Sequence, residues 1–133
     1  MKDFLLIHDE DARGNRIHSF RMPNTNAVSK YSVRELIKAR IENEVNRFNI
    51  QCPVCFFTLV QPEDAELTIK GYRLKKHRAI SWQSQFEAAL QGFEKKSFIV
   101  HANGKDFQAL DEQIEITDDT DITFIKFMEV VGG

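Results

Sequence analysis

The sequence contains little cysteine and proline and no long apolar run. Two cysteines and three prolines occur among its 133 residues. Two cysteines cannot build the disulfide framework of a small secreted domain, so a cytoplasmic protein is expected. A transmembrane helix needs about 20 consecutive apolar residues, and no stretch of this chain comes near that length. These shortages predict a single soluble domain over residues 1–133, with no membrane partner.

An excess of charge of one sign is also missing. The chain carries 18 Lys and Arg against 20 Asp and Glu, for a formal net charge of −2. Domains that bind nucleic acids normally present a basic surface, so no nucleic-acid partner is expected. No Ser-His-Asp order, phosphate-cradling glycine loop or paired-carboxylate cleft stands out either. We therefore expect a protein that is not itself an enzyme and that needs no cofactor.

An apolar–polar–apolar pattern at the start of the chain predicts a β-hairpin. Lys2–His8 and Arg16–Met22 each have the length and apolar content of a strand. The polar stretch between them contains the pair Gly14-Asn15, which is typical of a turn. Residues 23–26 begin with a proline and are expected to end the second strand and open a loop.

Two stretches have the periodicity of amphipathic helices. Ser32–Asn49 contains Ser32 and Glu35, the residue types of a capping box at a helix start. A shorter stripe follows Ser81. Because Trp82 lies on that stripe, we expect it in the core rather than in a ligand-stacking role. The apolar positions of the longer helix recur every three or four residues, which predicts one buried stripe: Val33, Leu36, Ile37, Ile41, Val45 and Phe48.

A cysteine pair and a basic run between the two helices allow more than one interpretation. Cys52 and Cys55 have the Cys-x-x-Cys spacing of zinc and redox sites. No matching second pair of ligands accompanies them, so two small buried hydrophobic side chains are favoured over a metal site or regulatory oxidation. The basic run at 70–78 is expected to be a solvated loop, with contact to an acidic partner or a phosphate as the alternative.

The last third of the chain is typical of β-strands. Phe98–Val100 is followed by Asn103-Gly104, a strong signal for a tight hairpin. After a short alternating piece at Ile114–Ile116, a final strand begins near Asp121. Both alternating sets of residues in that strand are largely apolar. We therefore expect it to be central, covered on both faces and adjacent to the first strand.

The most distinctive motif is the diglycine Gly132-Gly133, into which the final strand is expected to lead directly. Glycine has no side chain and the widest backbone freedom, so residues 130–133 are predicted to form a slim, flexible tail. Such a tail could carry a carboxylate into a narrow adenylation site, where a Cβ would obstruct the reacting carbon. The alternative is an ordinary flexible chain end without a chemical role.

The order of the predicted elements indicates an α+β fold with a mixed sheet and one helix packed across it. In this order the chain resembles the β-grasp fold of ubiquitin-like proteins. The similarity rests on the N-terminal hairpin, the Ser32–Asn49 helix, Phe98–Gly104, and the run from Ile114 through Phe124 to Gly133. The closing part is similar to the small subunit of molybdopterin synthase and to the thiamine-pathway sulfur carrier. The chain also resembles bacterial ubiquitin-like proteins that occur with adenylating and isopeptidase-like partners.

The resemblance implies a protein modifier. Gly133 would be adenylated by a ubiquitin-activating-type enzyme and transferred to a thiol or an amine of a target, as a thioester or an isopeptide bond. Gly132 would supply the slim approach, and Val130, Val131 and Phe127 would contact the activating enzyme. A conjugating enzyme and an isopeptidase are further expected partners. The alternatives are a sulfur carrier with a C-terminal thiocarboxylate and a non-covalent or self-assembling interaction module.

Residues 50–96 depart from the resemblance, because minimal sulfur carriers are much shorter and have no such insertion. This segment contains the second helix, the cysteine pair and the basic run. An added surface of this size suits a modifier recognised by its own enzymes, or a self-assembling protein, better than a carrier that must seat inside a compact synthase.

Overall fold

The computed structural model describes residues 3–24 and 28–133. Lys2 of the predicted first strand and residues 25 and 26 of the predicted loop lie outside the described residues. The elements follow the chain in this order: β1 (Phe4–Asp11), β2 (Arg16–Pro23), β3 (Lys30–Ser32), α1 (Val33–Gln51), β4 (Ala65–Thr68), β5 (Gly71–Leu74), α2 (Trp82–Glu94), β6 (Phe98–Ala102), β7 (Lys105–Phe107), β8 (Gln113–Glu115) and β9 (Asp121–Lys126).

A five-stranded mixed sheet forms the centre of the fold, with the strand order β2-β1-β9-β6-β7. β9 pairs in parallel with β1 and antiparallel with β6, and the two outer pairs are antiparallel. The final strand therefore lies in the middle beside the first, as the apolar content of both predicts. Two smaller pairs, β3–β8 and β4–β5, lie outside this sheet. Together with the two helices, the mixed sheet confirms the α+β class.

Residues with positive φ form the two hairpin turns of the sheet. β6 and β7 are joined by Asn103 (φ 53°) and Gly104 (φ 74°), the two-residue turn whose twist matches that of the flanking strands. The β1–β2 connection uses Gly14 (φ 84°). There the Asp11 carboxylate accepts hydrogen bonds from the amides of Arg13 and Asn15, at 2.9 Å each. Both predicted hairpins are confirmed.

Helix α1 begins and ends at caps that the sequence contains. The Ser32 hydroxyl accepts a hydrogen bond from the Glu35 amide, and the Glu35 carboxylate accepts one from the Ser32 amide, both at 3.0 Å. At the other end Cys52 adopts a left-handed conformation (φ 48°), and its amide donates to the Phe48 carbonyl. The predicted capping box and helix are confirmed.

Among the described residues, no helix is long and apolar enough to cross a membrane.

The two helices pack on the same face of the sheet. The guanidinium of Arg40 in α1 lies 4.5 Å from the ring centroid of Phe124 in β9. Phe93 in α2 contacts Phe98 in β6, with ring centroids 5.6 Å apart. On the opposite face Ile125 is only partly buried, as is its neighbour Thr123. The prediction that the final strand is covered on both faces is therefore wrong, because both helices lie on one side of it.

The inserted segment at 50–96 is part of the core. Phe56, Leu59 and Val60 are buried together with α1 and the sheet. The Asn49 side chain ties the segment to the end of α1, since it bonds both the amide and the carbonyl of Ile80, at 2.9 and 3.0 Å. Trp82 packs against the edge of this core rather than inside it.

Candidate functional site at the C-terminal segment

The chain leaves the sheet before it reaches the diglycine. Strand β9 ends at Lys126. The amides of Phe127 and Met128 both donate to the carbonyl of Ser97, at 2.8 and 3.1 Å, which holds a bend directly after the strand. The sheet therefore does not run straight into Gly132 as the sequence suggested, and residues 127–133 form a separate segment.

This segment forms a short parallel pairing with Gln61 of the insertion. The Gln61 amide donates to the Val130 carbonyl at 2.7 Å, and the Gly132 amide donates to the Gln61 carbonyl at 2.9 Å. As in a strand, the side chains alternate: Val130 is 6% exposed and Val131 52%. Residues 130–133, predicted as a flexible tail, are held against the body of the protein in this structure.

Close contacts between this segment and α2 explain why small residues occur on both of the contacting surfaces. A Cβ at Gly132 would lie 2.5 Å from the Ala88 Cβ, closer than two non-bonded carbon atoms can approach. A Cβ at Gly92 would lie 2.7 Å from Cγ2 of Val130. The segment can approach the helix only because both positions are glycine.

A charged contact holds the last residue. Nη2 of Arg78 donates to the main-chain oxygen of Gly133 at 2.8 Å and to Oδ1 of Asp64 at 2.7 Å. Nε of the same guanidinium donates to Oδ2 of Asp64 at 3.0 Å. The hydrogen bonds from Arg78 keep the pKa of Asp64 below its usual value, so the pair stays charged.

Gln85 of α2 lies beside Gly133 and is fully buried. Its Nε2 donates to the Val60 carbonyl at 3.3 Å. Its Oε1 has no hydrogen-bond partner within the described part of the chain. A Cβ at Gly133 would lie 3.0 Å from the Gln85 Cγ. We call Gln61, Arg78, Gln85, Ala88 and Gly92 the tail seat.

Tyr72 anchors the start of the segment. Its hydroxyl donates to Oε2 of Glu129 at 2.5 Å. Burial of the ring and the neighbouring Glu129 carboxylate raise the pKa of Tyr72 well above its usual value. The hydroxyl therefore remains a donor at any physiological pH.

The basic run at 70–78 is only partly the solvated loop that the sequence predicts. Lys75, Lys76 and His77 are exposed. Arg73 forms an ion pair with Glu66 across the β4–β5 hairpin, whereas Arg78 contacts the C-terminal segment. The contact could not be predicted from local sequence, because Arg78 and Gly133 are 55 residues apart in the chain.

The cysteine pair is not the pair of buried hydrophobic residues that we predicted. Cys52 is exposed, Cys55 is partly exposed, and both are free thiols. Cys52 is the left-handed cap of α1, and its exposed thiol donates to the Asn49 carbonyl at 3.5 Å. Within residues 3–24 and 28–133, no three His, Cys, Asp or Glu side chains come together in a way that could hold a metal ion.

A buried ionic network, which the sequence patterns did not predict, supports the tail seat. Arg40 is fully buried and bonds both carboxylate oxygens of Asp9, at 2.6 Å each. It also bonds Glu44 at 3.3 Å, and Glu44 accepts from the Leu59 amide at 3.1 Å. The network therefore joins β1 and α1 to the chain just before Gln61. The i, i+4 placement of Arg40 and Glu44 on the apolar stripe of α1 was the available signal.

Comparison of the chain with known protein families, with curated proteins and with solved structures gave no match.

Proposed function

We propose that this protein is a ubiquitin-like modifier with a β-grasp fold, and that Gly133 is the residue it donates. The observation that carries the proposal is the position of the diglycine, which begins six residues after the end of β9, the central strand of a sheet ordered β2-β1-β9-β6-β7. A parallel pair of first and last strands in the middle, with a helix across one face, is the arrangement expected of a β-grasp domain.

The reaction would use the protein as substrate of an adenylating enzyme. The Gly133 carboxylate attacks the α-phosphorus of ATP, and pyrophosphate leaves. A thiolate then attacks the acyl carbon, AMP leaves and a thioester forms. An amine of the target finally displaces the thiol, losing a proton as the amide bond forms. The activating enzyme supplies the catalysis, and the glycines leave the acyl carbon open to attack.

Two of the three residues that we expect to contact the activating enzyme are exposed. Phe127 is 48% exposed and Val131 is 52% exposed. Val130 is buried beside Gly92. An activating enzyme can grip Val130 only after residues 130–133 leave the tail seat.

The test is a search for branched peptides in cells that produce the protein. Trypsin cleaves after Lys126, so a target lysine joined to Gly133 would keep residues 127–133, Phe-Met-Glu-Val-Val-Gly-Gly. We expect this remnant on lysines of other proteins and its loss in a variant lacking Gly133. Absence of the remnant from both samples would contradict the proposal. Replacement of one carboxylate oxygen by sulfur in the intact mass would instead indicate a sulfur carrier.

The tail seat favours a second candidate function. Gly132 packs against Ala88 at a distance that admits no side chain, so the glycine has a structural role even without activation. Under this alternative the protein is a non-covalent interaction module whose diglycine serves only for packing. Activity that survives removal of Gly133 would support this alternative over the modifier.

A further inference from the structure

We propose that the tail seat is a specific intramolecular binding site for the diglycine segment, and that it competes with the activating enzyme for Gly133. The binding site stands on the contacts described above, while the competition rests on the proposed function. The ligand class is an extended peptide that carries a branched apolar side chain two residues before a glycine. In this protein that ligand is residues 130–133 of the chain itself.

The main-chain contacts select an extended backbone. The amide of Gln61 donates a hydrogen bond to the Val130 carbonyl, and the carbonyl of Gln61 accepts one from the Gly132 amide. This is the pattern by which a sheet edge accepts an added strand, and it is independent of side chains.

Shape supplies the selectivity at two positions. The space beside Gly92 accepts the Val130 side chain, which is 6% exposed. The space beside Ala88 accepts only glycine at position 132. The backbone at Gly132 does not have positive φ, so an alanine there would be excluded by contact with Ala88 and not by backbone strain.

Arg78 supplies the contact to the reacting residue. Its guanidinium bonds the Gly133 oxygen and is itself fixed by Asp64. A narrow adenylation site has to receive an extended thread, so it cannot accept Gly133 while Arg78 and Gln61 hold the same residues. Within residues 3–24 and 28–133, Oε1 of Gln85 has no hydrogen-bond partner. When the segment leaves, this oxygen can gain a hydrogen bond from water, which lowers the free-energy cost of opening.

The first experiment measures, without any enzyme, how strongly the tail seat protects the Gly132 amide from hydrogen exchange. Hydrogen exchange of the Gly132 amide is followed by NMR in the unmutated protein and in two arginine variants. Arg78→Met removes the contact to Gly133, whereas Arg73→Met removes an exposed arginine that pairs with Glu66. We expect Arg78→Met to speed exchange of this amide about tenfold or more, as the loss of one charge-assisted hydrogen bond predicts, and Arg73→Met to leave it unchanged. Exchange in the unmutated protein at the rate of an unstructured peptide would overturn the binding site.

A pair of compensating substitutions at positions 132 and 88 tests the same site independently. Gly132→Ala should abolish protection of the residue-132 amide, because its Cβ meets the Ala88 Cβ. Combining it with Ala88→Gly removes the obstructing atom and should restore protection, with Ala88→Gly alone as the control for the weakened helix. Equal protection in the single and the double variant would contradict the assigned contact.

The competition is tested by the yield of branched peptides bearing residues 127–133. We expect a higher yield from Arg78→Met than from Arg73→Met. We expect a low yield from both alanine-132 variants, including the one whose seat is restored, because a Cβ near the acyl carbon also obstructs the adenylation site. Equal yields from the two arginine variants would overturn the competition. Protection of the Gly132 amide with no branched peptide from any variant would overturn the proposed function and leave the binding site intact.

Discussion

Among the described residues, Arg40 has the largest fully buried side chain. It is a fully buried charge between two carboxylates, and its Cζ atom lies 4.5 Å from the ring centroid of Phe124 and 5.1 Å from that of Phe20. Burial favours the neutral form, but the charges of Asp9 and Glu44 outweigh it and raise the pKa of Arg40. A buried pair of this kind adds little net stability, yet loss of one partner leaves a charge uncompensated.

We expect Arg40→Met to lower the free energy of unfolding by about 3–5 kcal/mol, because it leaves the buried carboxylates of Asp9 and Glu44 without their partner. Urea unfolding followed by circular dichroism measures the loss. Arg47→Met is the matched control, since Arg47 is an exposed arginine of the same helix. The control should change stability by no more than about 0.5 kcal/mol. Similar stabilities for the two variants would contradict the role assigned to Arg40.

The pH dependence of the free energy of unfolding should reveal that Asp9 is ionised in the folded protein. Burial alone would raise the pKa of Asp9, but the charge and the hydrogen bonds of Arg40 outweigh it and lower that pKa below its usual value. A lowered folded-state pKa stabilises the protein above the unfolded-state pKa, and the contribution disappears as pH falls through the folded-state value. The stability difference between the unmutated protein and Asp9→Asn should therefore be largest near neutral pH and shrink below about pH 4.

Glu44 contributes with the opposite sign. Its burial raises the pKa of the carboxyl group, against the charge of Arg40, so stability falls as pH rises between its unfolded and folded values. Both proteins in the comparison keep Glu44, and its contribution largely cancels in the difference. A stability difference that stays constant from neutral to acidic pH would show that Asp9 is not ionised in the folded state.

At the scale of elements, the β4–β5 hairpin depends on one glycine. Gly71 has φ 116°, and a Cβ there would lie 2.4 Å from the Phe56 carbonyl oxygen. That carbonyl accepts a hydrogen bond from the Tyr72 amide at 2.7 Å, and the Tyr72 carbonyl accepts one from the Phe56 amide at 3.0 Å. The hairpin can approach the core, and Tyr72 can reach Glu129, only because residue 71 has no side chain.

Gly71→Ala should destabilise the protein by about 3 kcal/mol or more, since it adds a backbone clash to the strain of positive φ. Gly14→Ala is the matched control, because Gly14 also has positive φ (84°) but open space around it. The control should lose about 1 kcal/mol from backbone strain alone. Thermal unfolding of both variants gives the comparison, and equal losses would mean that contact with Phe56 does not determine the requirement for glycine.

At the scale of the whole molecule, the insertion and the sheet form one core. Phe48 of α1 contacts Phe56 of the insertion with ring centroids 4.6 Å apart, and Phe93 of α2 contacts Phe98 of β6. Arg40 and Glu44 bridge β1 to Leu59 of the insertion. Residues 50–96 are therefore a structural part of the domain and not an appended module.

Unfolding should accordingly be a single cooperative transition. Trp82 is the one tryptophan of the chain and lies in the insertion. Its fluorescence reports on α2, while far-ultraviolet circular dichroism reports on all elements together. We expect the two signals to give the same urea midpoint. A fluorescence transition at lower urea would show that the insertion unfolds on its own.

Much of the fold could be predicted from local patterns. The capping residues Ser32 and Ser81 determine where α1 and α2 begin, because their side chains satisfy amides of the first helical turn. Asn103-Gly104 specifies a two-residue turn, since both positions need positive φ. The apolar content of β1 and β9 places them side by side in the centre of the sheet. Each of these signals acts over a few residues or follows directly from burial.

Tertiary structure alone decided the contacts that define the candidate site. The apolar stripe of α1 does not reveal that Asp9 meets Arg40, because the two lie 31 residues apart. The glycines at 92 and 132 have no local requirement for glycine, and only the packing of the last residues on α2 creates one. The sequence by itself determined the helices, the hairpins and the presence of a diglycine, because periodicity, caps and turns depend on neighbouring residues. The fold decided that this diglycine is held by Gln61 and Arg78, because long-range pairing depends on which surfaces the assembled elements bring together.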